Sequence, residues 1–123
     1  MNKDNKGYRN LKAWQFANKI AHAIYNITDN FPKTEVFVLT SQMRRAALSV
    51  PANIAEGYMR KGSKDRKHFY NIALSSLTEL EYYIDFAFER NLYSRQEYNQ
   101  LVNLQYEFGK NRPTNRRPYQ TRG

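Results

Sequence analysis

The chain has 123 residues, 41% hydrophobic and 15% aromatic, which is enough for one core in one domain and too apolar for a disordered polyelectrolyte. It lacks cysteine, which excludes disulfides, Cys-ligated zinc and thiol catalysis, and no apolar run approaches the length of a membrane span. Its formal charge of +9, with a pI near 9.9, favours a polyanionic partner, because neutralised phosphates release counterions.

The opening MNKDNKGYRN has no apolar signal-peptide core, so the expected location is the cytoplasm. A first helix is predicted from about Leu11 to Asn30. Leu11, Trp14, Ala17, Ala21, Ile24 and Thr28 form one stripe, with Ile20, Ile27 and Phe31 beside it. Phe31-Pro32 ends it, since a residue before proline leaves the helical region. A second helix is expected to start near Thr34 as N-cap, with Glu35 in the first turn and a core stripe of Val36, Leu39, Met43, Ala46, Ala47 and Val50. Pro51 removes a backbone donor, yet Ile54, Ala55 and Tyr58 continue the spacing. The expectation is one helix kinked at Pro51, or two abutting helices, ending at Gly57 or soon after.

A third helix begins near Ser63, a possible cap, with the stripe Phe69, Ile72, Ala73, Ser76, Leu77, Leu80, Ile84 and Ala87, and Asn91 as a left-handed terminator. The fourth opens on the capping box Ser94-Arg95-Gln96-Glu97, turns Tyr98, Leu101, Val102 and Phe108 inward, and stops at Gly109. The fold class expected is all-α, an antiparallel up-down four-helix bundle over residues 1–109, followed by a basic, flexible tail over 110–123.

A second apolar stripe runs along two of these helices. Ser75, Glu79, Tyr82 and Phe86 share a face of the third, and Phe37, Ser41, Arg44 and Leu48 lie away from the core side of the second. A helix apolar on two sides is buried on two sides, so a homo-oligomer is expected. Gln42, Arg45, Ser49, Asn53 and Glu56 also fall on one helical line, with Arg45 and Glu56 about 16 Å apart along it. The interface candidates are therefore Phe37, Ser41, Leu48, Asn53, Glu56, Ser75, Glu79, Tyr82 and Phe86.

Catalytic chemistry has little support. His22 and His68 lie on different helices, HExxH is absent, and the five glycines are too scattered for a phosphate loop. Asp65-x-x-His68 sits among cations at a helix start and reads as a cap, while Glu81, Asp85 and Glu89 read as a solvated ridge. No cofactor, metal site or catalytic residue is expected. The cations are better organised. Candidates for nucleic-acid contact are Arg44 and Arg45, then Arg60, Lys61, Lys64, Arg66 and Lys67 at a helix joint, then Arg112, Arg116 and Arg117. Tyr8, Tyr58, Tyr70 and Tyr119 lie near them in sequence, where stacking on unpaired bases competes with ordinary packing.

Leu11-Lys12-Ala13-Trp14, Phe31-Pro32-Lys33-Thr34-Glu35, the run Leu39 to Ala47, Ser49 to Gly57, and Leu77 to Glu81 together resemble the bacterial ribosomal-RNA intervening-sequence proteins, also called the S23 ribosomal protein family. The likeness covers residues 8–109, and its most specific part is Gln-x-x-Arg through Asn-x-Ala-Glu-Gly. Ser75-Ser76 departs from the Gly-Ser usual in that family. The resemblance implies a cytoplasmic four-helix bundle, commonly a homopentamer, with no established enzymatic activity. More distantly, the chain is similar to the accessory variability determinant of retroelements, a basic pentamer that works with a reverse transcriptase and RNA. The expected partners are thus further copies of the chain, RNA or a ribonucleoprotein, and no membrane; the alternative is an interaction scaffold whose basic face meets an acidic protein or a reverse transcriptase.

Overall fold

The structure, a computed structural model, describes residues 7–113. Its regular elements are all helical, with no strand among the described residues: α1 (Lys12–Thr28), α2 (Ser41–Met59), α3 (Ser63–Glu89) and α4 (Arg95–Lys110). The amphipathic stripes explain the packing. Ile20, Ile24, Met43, Val50, Ile54, Leu80, Ile84, Leu101 and Phe108 are almost completely buried, filled in by Ala17, Ala46, Ala47, Ala73 and Ala87. The alanines let helix axes approach closely, and α2 packs most extensively against α3 and next against α1.

Paired contacts show which turns meet. The Arg44 guanidinium of α2 donates to Thr28 Oγ1 at 2.8 Å and to Asp29 Oδ1 at 2.8 Å, both at the end of α1. Gly7, before α1, lies against the Tyr58 ring near the end of α2; a Cβ there would sit 2.8 Å from the hydroxyl. Between α2 and α3, Arg45 meets Glu79, Ser49 Oγ lies 2.7 Å from Ser76 Oγ, and Gly57 meets Tyr70.

The entry to α2 differs from the sequence expectation. Thr34 caps nothing; residues Lys33–Glu35 form a 3₁₀ turn whose N-cap, Pro32, makes no side-chain cap bond, and Val36–Thr40 form a π turn leading into α2. The wider i→i+5 turn slips the register relative to a 3.6-residue count. Val36 therefore leaves the core it was expected to join and is 41% exposed.

Pro51 is buried inside α2 and does not end it, although its missing N–H withholds one bond from the Ala47 carbonyl. Three smaller corrections follow. Gly62, not Ser63, precedes α3, without a side-chain cap. Val102 faces outward, where Leu104 packs on the core instead. Gly109 does not stop α4, which runs to Lys110. Both predicted signals between α3 and α4 hold: Asn91 has φ 62°, and the Ser94–Glu97 capping box is fully formed. Around them Phe88, Tyr93 and Tyr98 stack together, and the Tyr93 hydroxyl donates to the Ile84 carbonyl at 2.7 Å.

Candidate nucleic-acid interface

The joint between α2 and α3 takes only Arg60–Gly62, and it gathers the cations that the sequence singles out. A buried arginine holds it in shape. Arg66, on the first turn of α3, is 8% exposed and directs Nη1 back to the carbonyls of Arg60 at 3.2 Å and Lys61 at 2.8 Å. A charged donor on two loop carbonyls fixes the turn more firmly than a neutral one.

The remaining cations of the joint divide by how they are used. Arg60 pairs with Glu56 one turn back and lies over the Phe69 ring, 4.7 Å from its centroid. Lys61, Lys64 and Lys67 are exposed, and no acid of the described residues pairs with them. The turn before α1, Gly7–Asn10, packs against α2, with Gly7 on Tyr58, and carries the exposed Arg9; the exposed Lys12 follows as the first residue of α1. Arg9 lies over the Trp14 ring, 5.5 Å from its centroid, so its charge is held on a packed surface. Sequence reading missed both residues because they are isolated along the chain; the contact of Gly7 with Tyr58 that brings this segment to α2 spans about half the chain.

Arg44 and Arg45 are occupied elsewhere. Arg44 bonds the end of α1 and lies 4.4 Å from the Tyr25 centroid, and Arg45 bonds Gln42 and Glu79. Arg112 is exposed beyond α4 and shares a groove with Glu81. Arg116 and Arg117, with Tyr119, lie outside the described residues.

Packing claims most of the tyrosine candidates. Tyr70 is 6% exposed, and its ring lies 2.6 Å from where a Cβ on Gly57 would sit; burial raises its pKa. Tyr8 packs on Trp14, and Tyr58 is half-buried against Gly7. No grouping of three His, Asp or Glu side chains among the described residues could hold a metal ion. No helix among the described residues is long and apolar enough to cross a membrane.

The opposite end of the α2–α3 pair is apolar. Phe37 is 92% exposed, Val38 66% and Tyr82 63%. Between the two helices Val38, Leu39, Tyr82 and Phe86 line a hollow of about 290 Å³, with Glu35 and Gln42 at its edge. A second hollow, about 250 Å³, lies along α1 between Ala21, His22, Tyr25 and Leu48. Of the other interface candidates, Ser41 and Ser75 are exposed, Glu79 binds Arg45 and the Tyr83 hydroxyl, and Glu56 pairs with Arg60. Asn53 donates to the Ser49 carbonyl at 2.8 Å and to its hydroxyl at 3.0 Å, so this polar line is bonded within the chain.

The model of a family described as "23S rRNA-intervening sequence protein" matches residues 9–111. The fold is similar to the crystal structure of a protein with unknown function from the S23 ribosomal protein family, from Bacteroides thetaiotaomicron. That similarity has 26% identity and a TM-score of 0.65, and covers 80% of this chain and 89% of the other. No curated protein matches the sequence.

Proposed function

The chain belongs to the 23S rRNA-intervening sequence protein family, and from that premise we propose that it is a non-enzymatic, oligomeric helical bundle that binds structured RNA or a ribonucleoprotein. The observation that carries the reading is the α2–α3 joint, where Lys61, Lys64 and Lys67 stand exposed, without an acidic partner among the described residues, on and just after a turn fixed by Arg66. Cations freed from internal pairs can neutralise phosphates without first breaking a bond, and the family's name points the same way.

The supporting scaffold is read as an antiparallel up-down bundle with α2 bent at Pro51. The meeting of Arg44 with Asp29, and of Gly7 with Tyr58, supports opposite directions for α1 and α2. Self-association is supported by the apolar end, where Phe37 and Tyr82 expose surface that a lone small bundle seldom carries. A pentamer and a cytoplasmic location are the family-based forms of this reading.

The test is RNA retention across a salt series. Binding is expected to weaken linearly in log–log form, and replacing Lys61, Lys64 and Lys67 with Gln is expected to reduce the slope by about 2 to 3, at ~0.7–0.9 per phosphate contact. No retention of any RNA at ~50 mM salt, where phosphate binding is strong, rejects the proposal.

A further inference from the structure

Base stacking needs an open ring face, and near the α2–α3 joint the tyrosine, tryptophan and phenylalanine rings of the described residues are occupied. Tyr70 is buried against Gly57, and Tyr58 is half-buried against Gly7. The rings that keep some surface are covered by guanidinium groups. Arg9 lies over Tyr8 and Trp14, 5.9 and 5.5 Å from their centroids, and Arg60 lies over Phe69 at 4.7 Å. His68, exposed one turn after Lys64, stands at 73° to the Phe69 ring with centroids 5.1 Å apart. The most exposed rings of the described residues stand elsewhere. Phe37 is in the π turn that enters α2, Tyr106 is on α4, and Tyr82 is about 22 Å along α3 from Lys67.

Single and double strands respond differently to such a surface. Stacking of unpaired bases on open rings strengthens single-strand binding about five- to a hundredfold per base. Without it binding is left to the phosphates, and a duplex carries twice the charge per unit length. Each phosphate contact contributes a salt slope of ~0.9 on a duplex and ~0.7 on a single strand. The cations of the joint suit phosphate. Lys61 on the turn, with Lys64 and Lys67 three residues apart on α3, are compact point charges. Arg66 fixes the turn that carries Lys61, and a fixed array matches the regular phosphates of a duplex better than a strand that must itself be ordered.

We propose that the joint takes the phosphate backbone of an RNA duplex and reads no bases. This rests on the RNA-binding reading of the same site and narrows its ligand to a base-paired segment. With three lysine contacts, the difference in slope taken from ~1 M to ~50 mM salt amounts to about a sixfold preference for the duplex.

The test uses the full chain and two RNAs. One is a strand of A and C only, which cannot pair with itself, about 20 nucleotides long and so longer than the ~16 base pairs a small RNA-binding domain spans. The other is the duplex formed on its complement. Anisotropy titrations at ~50 mM salt are expected to show the duplex bound about sixfold tighter, with a steeper salt slope and no dependence on its sequence. In K61Q/K64Q/K67Q the ratio is expected to fall toward one, and His68→Ala is expected to leave it unchanged. Equal or tighter binding of the single strand overturns the duplex assignment and leaves RNA binding standing. A single-strand affinity that falls on His68→Ala, with the duplex affinity unchanged, does the same. A preference that survives the triple substitution overturns its placement at this joint. Binding of neither RNA rejects the proposed function together with this one.

Discussion

The α2–α3 pair has two ends made by different means. At the joint the chain turns in three residues, and one buried arginine fastens the turn while three lysines have no acidic partner among the described residues. At the other end a 3₁₀ turn and a π turn bring the chain into α2, and the irregularity leaves Phe37 and Val38 in solvent. A regular turn frees charge, and an irregular one frees apolar surface. In the proposed reading the two ends meet different partners, polyanion at one and another copy of the chain at the other. Formal charge by itself gives no hint of the distinction, since Arg44, Arg45, Arg60 and Arg66 all count toward +9 yet each is bonded inside the fold.

The comparison breaks most severely at the crossing beneath the joint. Gly57→Val is expected to destabilise the protein by about 3 kcal/mol, because its side chain must displace the buried Tyr70 ring and the Phe69 Cβ. Urea denaturation followed by circular dichroism measures this, and a midpoint near that of the wild type contradicts the close packing. Next in size is Arg66→Ala, expected to cost about 2 kcal/mol through the loss of charged bonds to two loop carbonyls. Lys64→Ala, two residues before Arg66 and without an acidic partner among the described residues, should stay within ~0.5 kcal/mol while lowering the salt slope of RNA binding by about 1. If both variants act alike on stability, the division between fastening and free cations is wrong.

The apolar end is sharpened by Phe37→Asp. The residue is almost fully exposed in the protomer, so protomer stability should change by less than ~0.5 kcal/mol. The mass measured by light scattering is expected to fall toward that of a single chain, and an unchanged assembly removes Phe37 from the interface.

How much of this is legible in the sequence depends on the range of the cause. The core stripes of α1 and α3 are periodic, and the Ser94 box and Asn91 terminator are local chemistry, so all can be read from residues alone. The π turn cannot, because nothing in Val-Phe-Val-Leu-Thr signals one extra residue, and helical spacing consequently assigns Val36 to the core. At the candidate site the cluster around residues 60–67 is visible as a charge run. The engagement of Arg66 with the loop carbonyls depends on how α3 folds back, and the seating of Gly7 on Tyr58 depends on the first turn packing against α2. Contacts of that reach have no period and no motif.

The smallest expected effect concerns a charge at neither end. Burial, followed by the neighbouring Asp85, raises the Glu81 carboxyl above its ordinary pKa, and Arg112 opposes them only in part. A carboxyl with a higher pKa in the folded state than in the unfolded state favours folding most when protonated. Its contribution is full below the unfolded value and is lost as pH rises through the folded one. Glu81→Gln removes that loss. The variant should therefore be more stable than wild type at neutral pH by a few tenths of a kcal/mol, partial exposure having screened the rest. The difference should close as pH falls through the carboxylate range, where the wild-type group is itself neutral. Thermal melts at paired pH values measure it, and a variant less stable at neutral pH shows that Glu81 is held by a cation there.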